Sequence, residues 1–583
     1  MKNLLKKSFG ILVVTMVGYG FANAQADFSI NGLGRSILSN NQLKGNILNA
    51  DIATGRKADT LSTRKGAGGY NLFDLGFNFK KGLEFKTNAL LRVKQPFGDF
   101  WGEQTKFEFR QLQVMGDLRW LKYEIGDIDV KMTPYTVYNA DEMYNKFEAS
   151  IYKARRDIVE YENFNKNNVW RLQGLKMGTG LYFENKYVNE MIFKGFGVRT
   201  NGTNDFTTAD RLLTGLSTDI VSQKYATIGF NYVGLNDIRV SRTYGVDYSN
   251  NIFTSTADIK LLDKDNFKIN LVGEGGTSNR NYLIYAKDTT TKDTAEVAKD
   301  YFIDGGMKVK FKKLISFKVS YKNVGINYSS PSAQTTRYNI AAAPALFGKV
   351  LSNTANRQQL LFDRFTQEAV YNRTLSTTLN SFNPIFNNIT PYGEATPNRK
   401  GITLELESAD SMAIKFFAQT RLFTEIVGEG TLLKRNFTAL TTGVQISLAK
   451  LLKFDRPIDL TFGDRYEKTD RGADTLVNLT SNVIDAGLVI GVFKQLDVML
   501  GGKYLTAKGR EQVSNRTVLN ELGIPTNYNV DATQKITAIG FRINFNETAN
   551  FVMNYNLIEA SDKKMTAMNY TMNQLFVNFN IIF

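Results

Sequence analysis

An antiparallel transmembrane β-barrel of about 22 strands, within a range of roughly 18 to 24, is the all-β fold the sequence predicts. Three observations carry it. Apolar residues recur with a period of two from end to end. The connections between these periodic segments alternate between short turns and long polar stretches. No segment after the first 24 residues is long and apolar enough to be a membrane helix.

The period is clearest at the C-terminus. Leu575, Val577, Phe579, Ile581 and Phe583 alternate with Gln574, Phe576, Asn578, Asn580 and Ile582. Successive side chains of a strand point to opposite faces, so one face is apolar and the other mainly polar. Ile539, Phe541, Ile543 and Phe545 form a second such strand, which turns at 546–549 into Phe551, Met553, Tyr555 and Leu557. That is an antiparallel hairpin. Further hairpins turn at 80–82, 408–411 and 263–265, and near Lys313, Asn185, 234–237, 452–457 and Lys494, with a weaker candidate near Gly116. A leading strand near 27–33 and the terminal strand complete the count. Amide and charged residues share the second face in strand after strand, so that face is expected to meet water in a lumen.

The longer polar stretches are 38–69, 128–172, 200–221, 277–300, 326–400 and 509–533. Short turns on one rim and long loops on the other are the pattern of periplasmic turns and extracellular loops. Only nine prolines are spread over 583 residues, and composition does not shift along the chain. One repeated design over 25–583 is therefore expected, not a string of modules.

Residues 1–24 differ. Lys2, Lys6 and Lys7 precede an apolar core at 9–17, and Ala22-Asn23-Ala24 is a small-residue cleavage pattern. This reads as a cleaved signal peptide with Gln25 as the mature N-terminus. Cys is absent, so disulfides contribute nothing. His is absent too, which removes the commonest metal ligand and the usual general base. No enzyme, cofactor or metal is expected. Without the signal, 69 basic residues face 56 acidic ones, a net +13. For an exported chain this favours anionic headgroups or solutes, and nucleic acid is excluded as a partner.

Together, the signal, the aromatic-rich alternating strands, the absence of Cys and the closing Phe579-x-Ile581-x-Phe583 resemble the Gram-negative outer-membrane β-barrel class, porin-like or large. The resemblance is architectural and names no narrower family. It implies residence in the outer membrane among lipid and lipopolysaccharide. It also implies that the barrel-assembly machinery reads the terminal strand, although the class often has glycine where this chain has Asn578. Barrel-like alternation already begins by Leu72, so an N-terminal plug domain is not expected.

Several features are candidates for function. If Met307, Val309 and Phe311 face lipid, then Lys308, Lys310 and Lys312 face inward. Lys318 and Lys322 follow on the next strand, Glu405 and Glu407 on the one after, and Lys415 and Arg421 beyond. These are either a track for anionic solutes or a Lys–Glu ladder filling the lumen. In 128–172, Asn139 and Glu142 have capping-box spacing ahead of a stripe of Met143, Phe147, Ile151, Ala154 and Ile158. The helix is a gate, a docking site for a partner protein, or a piece folded onto its own loops or into the lumen. Asp127 and Asp129 are a weak Ca²⁺ candidate. Segment 326–400 contains apolar runs at 340–350 and 360–362. It is either a plug, a mobile extracellular loop or a seat for a partner. The expected function is passive or gated solute transport across the outer membrane. The rival is an accessory subunit of an outer-membrane assembly or secretion complex.

Overall fold

The computed structural model describes residues 27–46, 60–82, 84–97, 105–141, 144–164, 167–202, 209–238, 245–285, 292–340, 359–472, 475–517, 519–565 and 569–583. The expected signal at 1–24 and most of the 340–350 run lie outside them. The strands are β1 (Asp27–Asn46), β2 (Thr60–Lys81), β3 (Phe85–Pro96), β4 (Lys106–Asp117), β5 (Lys122–Val130), β6 (Trp170–Tyr182), β7 (Glu190–Asn201) and β8 (Asp210–Val221). They continue as β9 (Ala226–Ile238), β10 (Gly245–Lys264), β11 (Phe267–Tyr285), β12 (Lys292–Phe311), β13 (Ile315–Val324), β14 (Arg399–Ser408) and β15 (Ile414–Thr424). The last are β16 (Asn436–Ser447), β17 (Ile458–Asp470), β18 (Asn478–Gly491), β19 (Leu496–Arg516), β20 (Leu522–Asn544), β21 (Ala549–Asp562) and β22 (Tyr570–Ile582). Helix α1 spans Ser150–Glu162, α2 Leu361–Thr366 and α3 Leu448–Leu452.

Each strand pairs antiparallel with its sequence neighbour, and β1 pairs with both β2 and β22. The 22-stranded sheet is therefore closed and has no free edge, so the backbone is satisfied in lipid without helices. In the closing seam Phe579 lies opposite Ser36 and Ile581 opposite Gly34. The Gly32 N–H donates to the Phe583 carbonyl at 2.8 Å.

The outward face is apolar and aromatic. Phe73, Phe107, Phe109, Leu216, Phe253, Ile303, Phe317, Leu422, Phe462, Ile539 and Phe583 are exposed on it. The inward residues of the same strands hold polar partners, as the buried Asp74–Arg92 pair between β2 and β3 does at 2.7 Å.

Two expectations about connections need correcting. Most of 38–69, 200–221, 277–300 and 509–533 is strand, not loop. A crossing takes about 9–11 residues, yet β1, β10, β12 and β20 run for 20, 20, 20 and 23 residues. Their outer halves extend past a single crossing, and their inward residues, such as Leu43, Tyr248, Ile252 and Val530, are buried in the clusters around the inserted segments, so the simple alternation of lipid and water is lost and they read as polar loops. Residues 234–237 do not turn either. They lie within β9, and the turn comes at 222–225.

Because outward positions meet hydrocarbon and inward ones meet water or polar groups, a charge is tolerated on one face only. Ile539→Arg should cost about 2–4 kcal/mol of folding free energy. Lys310→Arg, on the inward face, should change stability by less than about 0.5 kcal/mol. Equilibrium unfolding of the two variants in lipid vesicles measures the contrast.

Candidate functional site

The lumen is where function must sit, and two connections occupy it. Segment 131–169 joins β5 to β6, and segment 325–398 joins β13 to β14. They bind each other first. The Tyr138 N–H donates to the Ser332 carbonyl at 2.9 Å. The Trp170 indole donates to the same carbonyl at 2.8 Å, and the Tyr328 hydroxyl to the Tyr135 carbonyl at 2.7 Å.

Both then bind the wall on all sides. The Tyr135 hydroxyl donates to Asp304 at 2.6 Å and the Thr133 hydroxyl to Glu274 at 2.6 Å. The Asn388 amide donates to Glu511 at 2.6 Å and to Thr469 at 2.9 Å. The Leu361 N–H donates to Gln534 at 2.8 Å. A segment touching β11, β12, β17, β19 and β20 in this way lies inside the barrel.

One half of the lumen is dry. Ile151, Tyr152, Leu361, Phe362, Phe365 and Phe386 from the inserted segments are buried. They form one apolar cluster with inward residues of β18–β22, including Val483, Leu505, Ile536, Val552, Ile558 and Met572. The inward face of these strands is thus partly apolar, against the expectation of a uniformly wet lumen. Burying such a side chain contributes about 1.5–3 kcal/mol.

Helix α1 is set by the wall and not by a local cap. Asn139 does not cap it; the helix begins at Ser150, and Ala149 is its N-cap with no side-chain bond. Glu142 and Met143 lie outside the described residues. Instead the Ala149 N–H points at the Asp485 carboxylate of β18 at 3.4 Å, a negative charge at the positive end of the helix. At the other end Arg110 of β4 donates to the Tyr161 and Glu162 carbonyls at 3.1 and 3.0 Å, which satisfies carbonyls that have no partner in the helix. Glu162 also holds Arg92 at 3.0 Å. Phe147, Ile151 and Ile158 are buried, as an inserted helix requires.

A row of glycines makes room for the approach to α1. Gly443 of β16 is paired with Gly463 of β17, and Gly487 of β18 with Gly501 of β19. All four face inward under residues 145–151. A Cβ on Gly487 would stand 2.5 Å from the Ala149 Cβ, and one on Gly501 2.5 Å from the Ile151 Cγ2. On Gly463 it would collide with the Asn145 side chain. Glycine inside a strand marks just such a close approach, so the four were visible in the sequence as a signal that went unread.

The rest is not uniformly wet: Tyr135, Val137, Tyr328 and Ala333 form a second apolar cluster with inward residues of β5–β13, and the wet part lies along β15–β17. A cavity of about 460 Å³ lies between the two segments and the wall of β15–β17. Arg156, Arg337, Arg421, Arg465 and Lys146 line it, against Asp141, Glu148 and Glu394. Glu394 accepts from Arg421 at 2.6 Å and also pairs with Lys322. Glu148 accepts from Arg156 at 2.6 Å and from Lys503 at 2.8 Å. Enclosure pushes both carboxyls up, but the neighbouring cations outweigh it and hold them below the usual carboxylate range.

The sequence-derived basic residues divide between two situations. Lys322 and Arg421 hold Glu394. Lys308 lies opposite Lys318, which lies opposite Glu405; Lys310 lies opposite Ser316, and Lys415 opposite Gln445. Among the described residues, Lys308, Lys310, Lys318 and Lys415 make no ion pair. Lys312 belongs to the turn after β12, not to the wall. Asp127 and Asp129 are taken up by the Leu112 N–H, Gln173 and Arg171. No metal-binding group of three ligands occurs among the described residues.

The closed 22-strand cylinder with an apolar exterior is an integral outer-membrane barrel. No family model matches the chain, and no curated relative does. Among solved structures it is similar to OccK8 (OprE) of Pseudomonas aeruginosa at 8% identity, covering 96% of this chain and 98% of that one, with a TM-score of 0.35. For OprD of the same organism the values are 7%, 96%, 96% and 0.36. For the channel DcaP of Acinetobacter baumannii they are 9%, 96%, 97% and 0.27. What the lumen does therefore has to be read from this chain's own residues.

Gly463→Val and Gly487→Val should leave the barrel intact and unseat 145–151. Heat-modifiable gel migration should stay normal while limited proteolysis begins to cut within 144–162. The Glu394 site has a predictable pH sign. Its carboxyl lies below its unfolded value, so its contribution to docking persists at neutral pH and is lost only on strong acidification. In the Lys322→Met/Arg421→Met variant the enclosure is opposed by Lys318 alone. The carboxyl should then rise above its unfolded value, and docking should weaken as pH increases from about 4 to 8. Protease protection of 325–398 against pH reads out the reversal.

Proposed function

We propose that the protein is a passive channel for small solutes, with a path along the β12–β17 side of the lumen. One observation carries the reading. The inserted segments pack apolar clusters on β18–β22 and on β5–β13 and leave, against β15–β17, a charged cavity of about 460 Å³. A lumen meant only to be sealed would gain from closing that gap as well. The path would run past Lys308, Lys310, Lys318 and Lys415 and through the cavity beside Arg421, which favours anions. Translocation along this path is diffusive.

Single-channel recording of the purified barrel in planar bilayers is the test. Small, anion-preferring conductance is expected. Deleting 335–395 and closing the gap with a short Gly/Ser linker should raise it severalfold and sensitise cells to large antibiotics. A silent wild-type barrel whose deletion variant inserts but stays silent would overturn the reading. Lys308→Glu/Lys318→Glu should shift the reversal potential toward cations, and an unchanged potential would remove these lysines from the path.

A further inference from the structure

The short-turn rim is not evenly charged. Three neighbouring connections lie side by side on it: 222–225 between β8 and β9, 265–266 between β10 and β11, and 312–314 between β12 and β13. The Lys260 N–H donates to the Tyr225 carbonyl and the Lys312 N–H to the Asn266 carbonyl, both at 2.8 Å, which ties each turn to the next. Over 222–225, 260–268 and 310–314 there are seven lysines and two aspartates. Lys268 takes Asp263 at 2.5 Å. Among the described residues, Lys224, Lys264, Lys312 and Lys313 make no ion pair.

The three turns repeat one layering. An exposed ring, Tyr225, Phe267 or Phe311, stands at the strand end, and an exposed lysine stands at the tip. The Lys224 ammonium lies 5.2 Å from the centre of the Tyr225 ring, and that of Lys312 5.3 Å from the Phe311 ring. Rings with cations one layer further out match the boundary of a bilayer, where tails give way to phosphates.

Lys312 and Lys313 also occupy positions that a hairpin does not favour for lysine. The Leu314 N–H closes the turn onto the Phe311 carbonyl at 2.9 Å, and the two central residues have φ of 47° and 56°. Such a turn prefers Asn-Gly or Asp-Gly, because a Cβ is crowded in the left-handed region. Two adjacent cations there repel each other and strain the turn, so they do nothing for the hairpin itself. Strain of this kind points to function. A layer of phosphates offsets the repulsion. A free anion would gain nothing from the rings beneath, whereas a phospholipid uses both layers.

We propose that this part of the short-turn rim binds anionic phospholipid of the periplasmic leaflet, with phosphates among Lys224, Lys264, Lys312 and Lys313 and acyl chains against Phe267 and Phe311. The binding is independent of whether the lumen conducts.

Native mass spectrometry of the purified barrel, supplied with equal phosphatidylglycerol and phosphatidylethanolamine, is the test. Severalfold preference for phosphatidylglycerol is expected, and inorganic phosphate should displace no more of it than chloride at the same ionic strength. Lys312→Asn/Lys313→Gly installs the pair the turn favours, so heat-modifiable migration should stay normal while the preference falls severalfold. Lys224→Gln/Lys264→Gln should lower it without touching that turn. Lys563→Gln/Lys564→Gln removes as much charge from the opposite rim and should leave it unchanged. Equal retention of the two lipids, specific displacement by phosphate, an undiminished preference in both rim variants, or an equal loss in the opposite-rim variant would each overturn the proposal.

Discussion

A closed ring of 22 strands encloses more space than the side chains of its own wall can fill. That constraint organises the rest of the molecule. The wall cannot be packed against itself as in a small barrel, so the core must be imported from the connections. The chain does this with two of its eleven outer-rim connections, 131–169 and 325–398. Their apolar residues meet Ile536, Val552, Ile558 and Met572, which would otherwise face water. The hydrophobic cluster is therefore the energetic reason for insertion.

Apolar burial is not directional, so it does not say where α1 stops. Charges and glycines do. Asp485 stands at its N-terminus, and Arg110 and Arg92 take up its C-terminal end. Buried ion pairs stand near both ends, Lys503 with Glu148 and Arg92 with Glu162, and breaking one partner of such a pair typically costs about 3–5 kcal/mol, so each end is pinned. Between the pins, Gly443, Gly463, Gly487 and Gly501 lower the wall by a side-chain layer and let residues 145–151 lie directly on the sheet. The segment is a strap fixed at both ends and seated along its length.

The architecture was legible because a strand crossing lipid has an environment that repeats every two residues. Ile539, Phe541 and Ile543 carried that signal, as did Phe579, Ile581 and Phe583. It faded where the environment did. The outer halves of β10–β12 and β20 reach beyond the lipid and bury Tyr248, Tyr282, Ala298 and Val530 on their inward faces, so they looked like loops. The helix start was misplaced for a different reason. Asn139 and Glu142 satisfied a local rule, but the α1 termini are satisfied by residues more than 50 and 300 positions away in sequence, which no window can see. Val552 and Phe576 were clues that the second face was not simply aqueous. An apolar residue on the wet face of a barrel strand asks for something inside to cover it, and both are buried there.

The wet side of the lumen can also be understood from the cost of isolated charge. Around the cavity the acids are matched by cations: Glu394 by Lys322 and Arg421, Glu148 by Arg156 and Lys503. Against β11 and β12, Glu274 and Asp304 accept from the Thr133 and Tyr135 hydroxyls instead. In a confined, weakly polarisable space an unsatisfied carboxylate would be expelled or protonated, so a partner is a condition of packing there. Lys308, Lys310, Lys318 and Lys415 need no such match, which means water reaches them. Paired charges are structural because their fields cancel at short range, and unpaired ones project a field into the lumen. The two sets of basic residues are chemically alike and were indistinguishable in sequence. Only the fold of 325–398, by bonding Glu394 to Lys322 and Arg421, separates those that hold the inserted segment from those left without an ion partner.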